Sequence, residues 1–173
     1  MILEAFYKLA LNGYLMLIYI SALFNLKAKI WLEGRKNWHQ KLAKNTADWK
    51  SCVWFHCASL GEFEQGRPII EKIKKEHPSK KILLSFFSPS GYEIRASYEL
   101  ADYVCYLPID TFKNAQNFIK TSKCDLAIFI KYEWWYFYFK QLNKCNIPLY
   151  VVSTLFRPQQ IFFKWYGNYI VKC

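Results

Sequence analysis

From about Ser51 onward, short apolar runs alternate with helical stretches, and this alternation limits the possible folds more than any other feature of the chain. Cys52–Cys57, Lys81–Phe87, Tyr103–Leu107, Leu126–Ile130 and Leu149–Val152 read as strands. Phe63–Glu76, Tyr92–Leu100, Phe112–Thr121 and Trp134–Cys145 read as the helices between them, the first with Ile69, Ile70 and Ile73 on one face. Such short apolar strands, separated by helices, form a parallel sheet covered on both faces. Right-handed crossovers then favour a doubly wound order such as 3-2-1-4-5, with the first and fourth strands adjacent at the switch point. A length of 173 residues gives room for one well-buried α/β domain and not for two of ordinary size. No internal repeat or low-complexity linker interrupts it.

The N-terminus is different. Leu9–Phe24 is nearly all apolar, with Lys8 before it and Tyr14 and Tyr19 inside it. Lys27, Lys29, Arg35, Lys36, Lys41, Lys44 and Lys50 follow, against only Glu33 and Asp48. A spanning helix needs about 20 apolar residues, so the run is slightly short, and Asn12 and Gly13 weaken it further. No cleavage motif of the signal-peptide kind follows it. A basic flank stays cytoplasmic and attracts anionic headgroups, and Trp31 and Trp38 suit the headgroup level. The expected organisation is a membrane-anchor helix at 1–26, spanning or lying in the interface, a basic juxtamembrane segment at 27–50, and the α/β domain at 51–173. The alternative is a buried helix packed on that domain.

Bulk properties narrow the partners. A composition 53% hydrophobic and 20% aromatic excludes disorder. A net charge of +11 calls for an anionic partner, whether phospholipid, nucleic acid or a phosphorylated substrate. The 6 cysteines are scattered, with no Cys-x-x-Cys pair and no histidine at metal-ligand spacing, which fits a reducing cytosol and argues against structural zinc. Trp134–Phe139 is entirely aromatic, suited to core on one face and to lipid chains on the other. No Arg or Lys interleaves it, which disfavours stacking on nucleic-acid bases.

Open α/β sheets bind ligands outside the carboxyl ends of their strands. Glu62 sits there after the first strand, behind Gly61, where a carboxylate can either deprotonate a hydroxyl or cap the helix that starts beside it. Glu133 follows the fourth strand, so the expected order sets the two acids across one crevice. Burial beside Trp134 and Trp135 would favour a functional role for Glu133, and an ion pair with Lys131 or Arg157 would make it structural. The turn of Ser88, Pro89, Ser90 and Gly91 can hold a phosphate or carboxylate on its N–H groups, or can be an ordinary capped turn. Arg67 and Arg157 can clamp an anion, and His56, within a strand, reads as a core imidazole.

In these residues the chain resembles the N-terminal domain of the Kdo transferases, which add 3-deoxy-D-manno-octulosonic acid (Kdo) to lipid A precursors. The segments that carry the resemblance are His56 to Glu62, Ser88 to Gly91, Leu107 to Asp110, Lys131 to Trp135 and Ser153 to Arg157, together with the hydrophobic N-terminus. It implies the N-terminal half of a GT-B fold, two Rossmann-like domains with the active site between them. This half would receive lipid A precursor on the cytoplasmic face of the inner membrane, and a C-terminal domain would hold CMP-Kdo. Glu62 would be the general base of an inverting transfer that needs no cofactor and no metal. Ser59 and Gly61 would shape the loop around it, and Ser88, Ser90, Gly91, Glu133 and Arg157 would contact the acceptor. The partners so implied are CMP-Kdo, the lipid acceptor and an anionic membrane surface, without nucleic acid. The chain departs from the family pattern where Lys131 and Tyr136 replace an acid and a proline. It also stops at Cys173, so a donor domain is expected to be missing and the isolated chain to be inactive. Two readings compete: a non-catalytic lipid-binding module of the same fold, and another GT-B glycosyltransferase acting on a lipid-linked sugar.

Overall fold

The computed structural model describes residues 2–131 and 134–153. Glu133, Arg157 and the rest of 154–173 lie outside the described residues. Within them the chain runs α1 (Ile2–Ser21), α2 (Leu26–Gly34), α3 (Trp38–Asn45), β1 (Cys52–Cys57), α4 (Leu60–Glu76), β2 (Lys81–Phe86), α5 (Pro89–Arg95), β3 (Tyr103–Tyr106), α6 (Phe112–Ser122), β4 (Cys124–Ile130), α7 (Tyr136–Lys144) and β5 (Leu149–Val152).

The strands form one 5-stranded sheet in the order β3-β2-β1-β4-β5, with every neighbouring pair parallel. This is the expected doubly wound order. β1 is central and all six of its residues are buried, because helices cover both faces of a parallel sheet. Cys52 and Trp54 point into one core, with Leu42, Leu83, Phe118, Phe129 and Tyr138. Val53, Phe55 and Cys57 point into the other, with Phe63, Ile70, Leu84, Phe86 and Ile130. Trp54 is fully buried and donates its indole N–H to Ser85 Oγ at 2.8 Å. Truncating it to alanine is expected to cost about 3–5 kcal/mol.

The starts of α4 and α5 differ from the sequence expectation, and the residues at their N-termini explain both shifts. α4 begins at Leu60, not Phe63, because Ser59 is extended (φ −140°) and its carbonyl already accepts from Phe63 N–H. Gly61 and Glu62 therefore belong to the first helical turn rather than to a preceding loop. α5 begins at Pro89, since Ser88 Oγ accepts from Ser90 N–H and proline suits the first helical position. β4 starts two residues early at Cys124, and α7 two residues late at Tyr136.

The N-terminal region packs on the sheet domain. Trp31, Leu42 and Trp49 are buried, and Trp38 lies against Phe118. The tryptophans expected at headgroup level thus turn inward. Along α1, Tyr7 donates to Asp110 and Tyr14 packs on Trp31 and Phe87, while Phe6, Leu9, Met16, Leu17 and Ile20 stay exposed. Among the described residues no helix is long and apolar enough to cross a membrane.

Candidate active site

The site builds outward from the end of β1. Ala58 follows the strand, Ser59 opens α4, and Glu62 lies in its first turn. The Glu62 carboxylate accepts from Ala58 N–H at 2.5 Å through Oε2, so it closes the turn on itself and satisfies a backbone donor ahead of the helix. The Ser59 side chain makes no capping bond. Glu62 is half-buried and Gly61 exposed, at the carboxyl end of the central strand. The capping role weighed from the sequence is therefore real, and it holds the carboxylate in place at the mouth of the sheet.

The second turn sits directly beside the first. Ser88 N–H donates to Ala58 O at 2.8 Å, bridging the ends of β2 and β1. Gly91 is buried, and a Cβ there would run into the Phe86 ring and come within 3.2 Å of Leu60 N. Its small size is what lets α5 lie against the start of α4. Gly61 is the opposite case, since a Cβ there would meet nothing within 4 Å. Ser88 Oγ and Ser90 Oγ bond each other at 2.6 Å. Ser59, Gly61, Glu62, Ser88, Ser90 and Gly91 thus come together at two adjacent strand ends.

On the other side of β1 lies β4, with His56 opposite Phe129. Lys131, directly after β4, and Ser153, directly after β5, both have positive φ (66° and 58°). These are uncommon values for non-glycine residues, and they occur at two neighbouring carboxyl ends of the sheet. Lys131 N–H still donates to Val152 O at 2.9 Å. Glu133 and Arg157 fall outside the described residues, so the pairing of Glu62 with Glu133 stays an expectation from strand order.

His56 is a core residue, 1% exposed, with Nδ1 2.9 Å from Ser85 Oγ and its ring against Phe129 and Trp135. Arg67 is half exposed on α4 and forms ion pairs with Glu64 and Glu71. That is a solvated surface arrangement rather than an anion clamp. Among the described residues no group of three His, Cys, Asp or Glu side chains could hold a metal ion.

Sequence reasoning gave two residues no individual role. Asp110, 1% exposed, accepts from Tyr7 Oη at 2.6 Å and from the N–H groups of Phe137 and Tyr138 at 3.1 Å each. Desolvation pushes its pKa up to about 6, against the lowering effect of those hydrogen bonds. It fastens α1 to the start of α7 and lines a groove of about 290 Å³ walled by Tyr7, Tyr14, Phe87, Trp134 and Trp135. Arg35, read only as part of a basic segment, is buried and bonds the segments behind the Ser88 turn. Asp110 stands in the Leu107 to Asp110 segment that carries the resemblance, but nothing local in the sequence assigned a role to it or to Arg35.

The family model described as 3-deoxy-D-manno-octulosonic-acid transferase (kdotransferase) matches residues 36–169 of this chain, a stretch that includes both turns. The chain belongs to the Kdo transferase family. It is 31% identical over 109 residues to the 3-deoxy-D-manno-octulosonic acid transferase of Aquifex aeolicus, covering 61% of this chain and 30% of that protein. It is 28% identical over 103 residues to the transferase of the same name from Haemophilus influenzae, covering 59% of this chain and 24% of that protein. For the Chlamydia trachomatis transferase the identity is 24% over 103 residues, covering 58% of this chain and 24% of that protein. The chain thus spans about a third or less of the length of these Kdo transferases.

Proposed function

We propose that this chain is the acceptor-binding part of a Kdo transferase that moves Kdo from CMP-Kdo to a lipid A precursor. The observation that carries the reading is Glu62, a carboxylate fixed at the end of the central strand beside the Ser88–Gly91 turn, in a chain of this family. In the proposed step the Glu62 carboxylate takes the proton of an acceptor hydroxyl. The hydroxyl oxygen then bonds the anomeric carbon of Kdo as the bond to CMP breaks, and CMP leaves with that electron pair. Attack from the face opposite the leaving group inverts the anomeric centre. General-base help of this kind is worth about 10²–10⁴ in rate. Ser59, Gly61, Ser88, Ser90, Gly91, Glu133 and Arg157 would surround the acceptor, and the donor would be held by a separate C-terminal domain.

The exposed apolar residues of α1, with Leu23, Phe24 and Leu26 after them and Lys27, Lys29 and Lys36 close by, support a membrane-surface location. An amphipathic helix of this kind lies in the interface, and lysines beside it favour anionic headgroups. We assign the anchor to 1–26 and the cytoplasmic face of the inner membrane as its site.

The test is Kdo transfer from CMP-Kdo to a tetraacylated lipid A precursor, by the chain alone and by the chain joined to the C-terminal domain of a relative. Transfer only in the joined form supports an acceptor half. No transfer in either form, with vesicle binding intact, would leave a membrane-bound binding module and overturn the catalytic reading. Salt-sensitive binding to DNA or RNA in the absence of vesicles would point to a nucleic-acid partner instead.

A further inference from the structure

Arg35 ends α2 and is 8% exposed. Its guanidinium donates through Nε to Leu107 O at 2.9 Å, through Nη1 to Trp31 O at 2.9 Å and through Nη2 to Phe87 O at 2.7 Å. The Trp31 ring centroid lies 3.7 Å from its central carbon, with Phe87 and Tyr106 at 4.9 and 5.0 Å. Among the described residues all its hydrogen bonds go to neutral carbonyls and it makes no ion pair. Desolvation draws its pKa down to about 9, which leaves it charged at neutral pH.

A buried charge is expensive, and an apolar side chain of similar volume often serves stability as well or better. What an apolar residue cannot do is hold three carbonyls from three segments at fixed angles, which the planar guanidinium fork does. The segments are α2, the end of β2 and the end of β3. Phe87 immediately precedes Ser88, the N-cap of α5. Ser88 N–H bonds Ala58 O, and Ala58 N–H bonds Glu62. A short continuous path of hydrogen bonds and peptide links therefore runs from Arg35 to the Glu62 carboxylate.

We infer that Arg35 is a positioning residue that fixes the Ser88–Gly91 turn against the Glu62 turn, from the side of the domain where α1 and α2 lie. Its effect on transfer rests on the acceptor-site reading above. The geometric effect does not.

The test uses the full chain with Arg35→Lys and Arg35→Ala, and amide hydrogen exchange as readout. In the Lys variant, melting and core β1 and β4 amides stay near wild type, while Ser88 and Ala58 amides exchange about tenfold faster or more, the scale of one lost charged hydrogen bond. Methylguanidinium added to the Ala variant slows those two amides again, and ethylammonium does not. In the joined form, Arg35→Lys lowers kcat more than it raises the acceptor KM. Unchanged Ser88 and Ala58 exchange in a folded Lys variant would overturn the proposal. So would equal acceleration everywhere, or failure of both variants to fold, since either means a purely structural arginine. If the joined wild type transfers no Kdo, the acceptor reading fails and the exchange result still decides the role of Arg35.

Discussion

A methyl group added at Gly61 would meet no atom within 4 Å, whereas one added at Gly91 would strike the Phe86 ring. The two glycines of the site therefore answer different demands. Gly61→Ala is expected to leave melting unchanged or slightly raised, because alanine is the better helix residue by about 0.5–1 kcal/mol. In the joined form the same change should raise the acceptor KM about tenfold, the scale of one lost close contact. Gly91→Ala should instead destabilise the fold by about 1–3 kcal/mol through overpacking, measured by denaturant unfolding. Asp110 gives a pH signature. Its folded pKa of about 6 lies above the unfolded aspartate value of about 3.9, so the native state binds the extra proton between those values. Its contribution is therefore fully present below pH ~4 and falls as pH rises to ~6, by about 3 kcal/mol at most. Asp102, held low by Lys74 and Lys81 against its desolvation, acts in the opposite sense and loses its contribution as pH falls. Subtracting the Asp110→Asn stability profile from that of wild type cancels Asp102 and should leave a decline confined to pH ~4–6. A flat difference would contradict the assigned burial. Glu62 was legible because its partner, Ala58, is local. Asp110 and Arg35 were not, because Tyr7 lies 103 residues from the one and Leu107 lies 72 residues from the other.

At the scale of elements, the strands were legible from their apolar runs because a sheet buried on both faces needs nothing else. Helix starts were less so. The Ser59-x-x-Glu62 spacing is a capping signal, and reading it as one would have started α4 three residues earlier. The basic segment at 27–50 conceals α2 and α3, and its Trp31, Arg35, Leu42 and Trp49 are buried among exposed lysines. Charge was the louder signal there, but burial is decided by the few large residues on one face. Of the two roles expected of α1, the structure shows the packed one on one face and leaves the other face exposed. Tyr7 bonds Asp110 and Tyr14 lays one side of its ring on Trp31, while Leu9 and Leu17, 69% and 62% exposed, face out. Replacing Leu9 and Leu17 together by glutamate should change stability by only about 0.5 kcal/mol, as exposed positions do. Co-sedimentation with anionic vesicles should drop about tenfold or more, from lost apolar burial and added negative charge. Unchanged vesicle binding in the folded double variant would remove α1 from the membrane account.

For the whole molecule, the strand order put the turns after β1 and β2 side by side, and Gly91 against Leu60 shows how closely they meet. Crossover handedness made that much foreseeable from sequence. Sequence could not decide whether Glu62 is a base, a cap or both, since the same position serves either use. The structure supplies the cap, and the proposed reaction asks for the base. Glu62→Gln separates them, because the amide oxygen can still accept from Ala58 N–H while the group no longer takes up a proton. The deciding measurement is Kdo transfer by the joined form carrying Glu62→Gln, with melting and acceptor binding followed in parallel. A loss of about 100-fold or more in kcat, with melting and acceptor binding near wild type, is the expected result. Activity within a few-fold of wild type would leave Glu62 as a helix cap and contradict its role as the base.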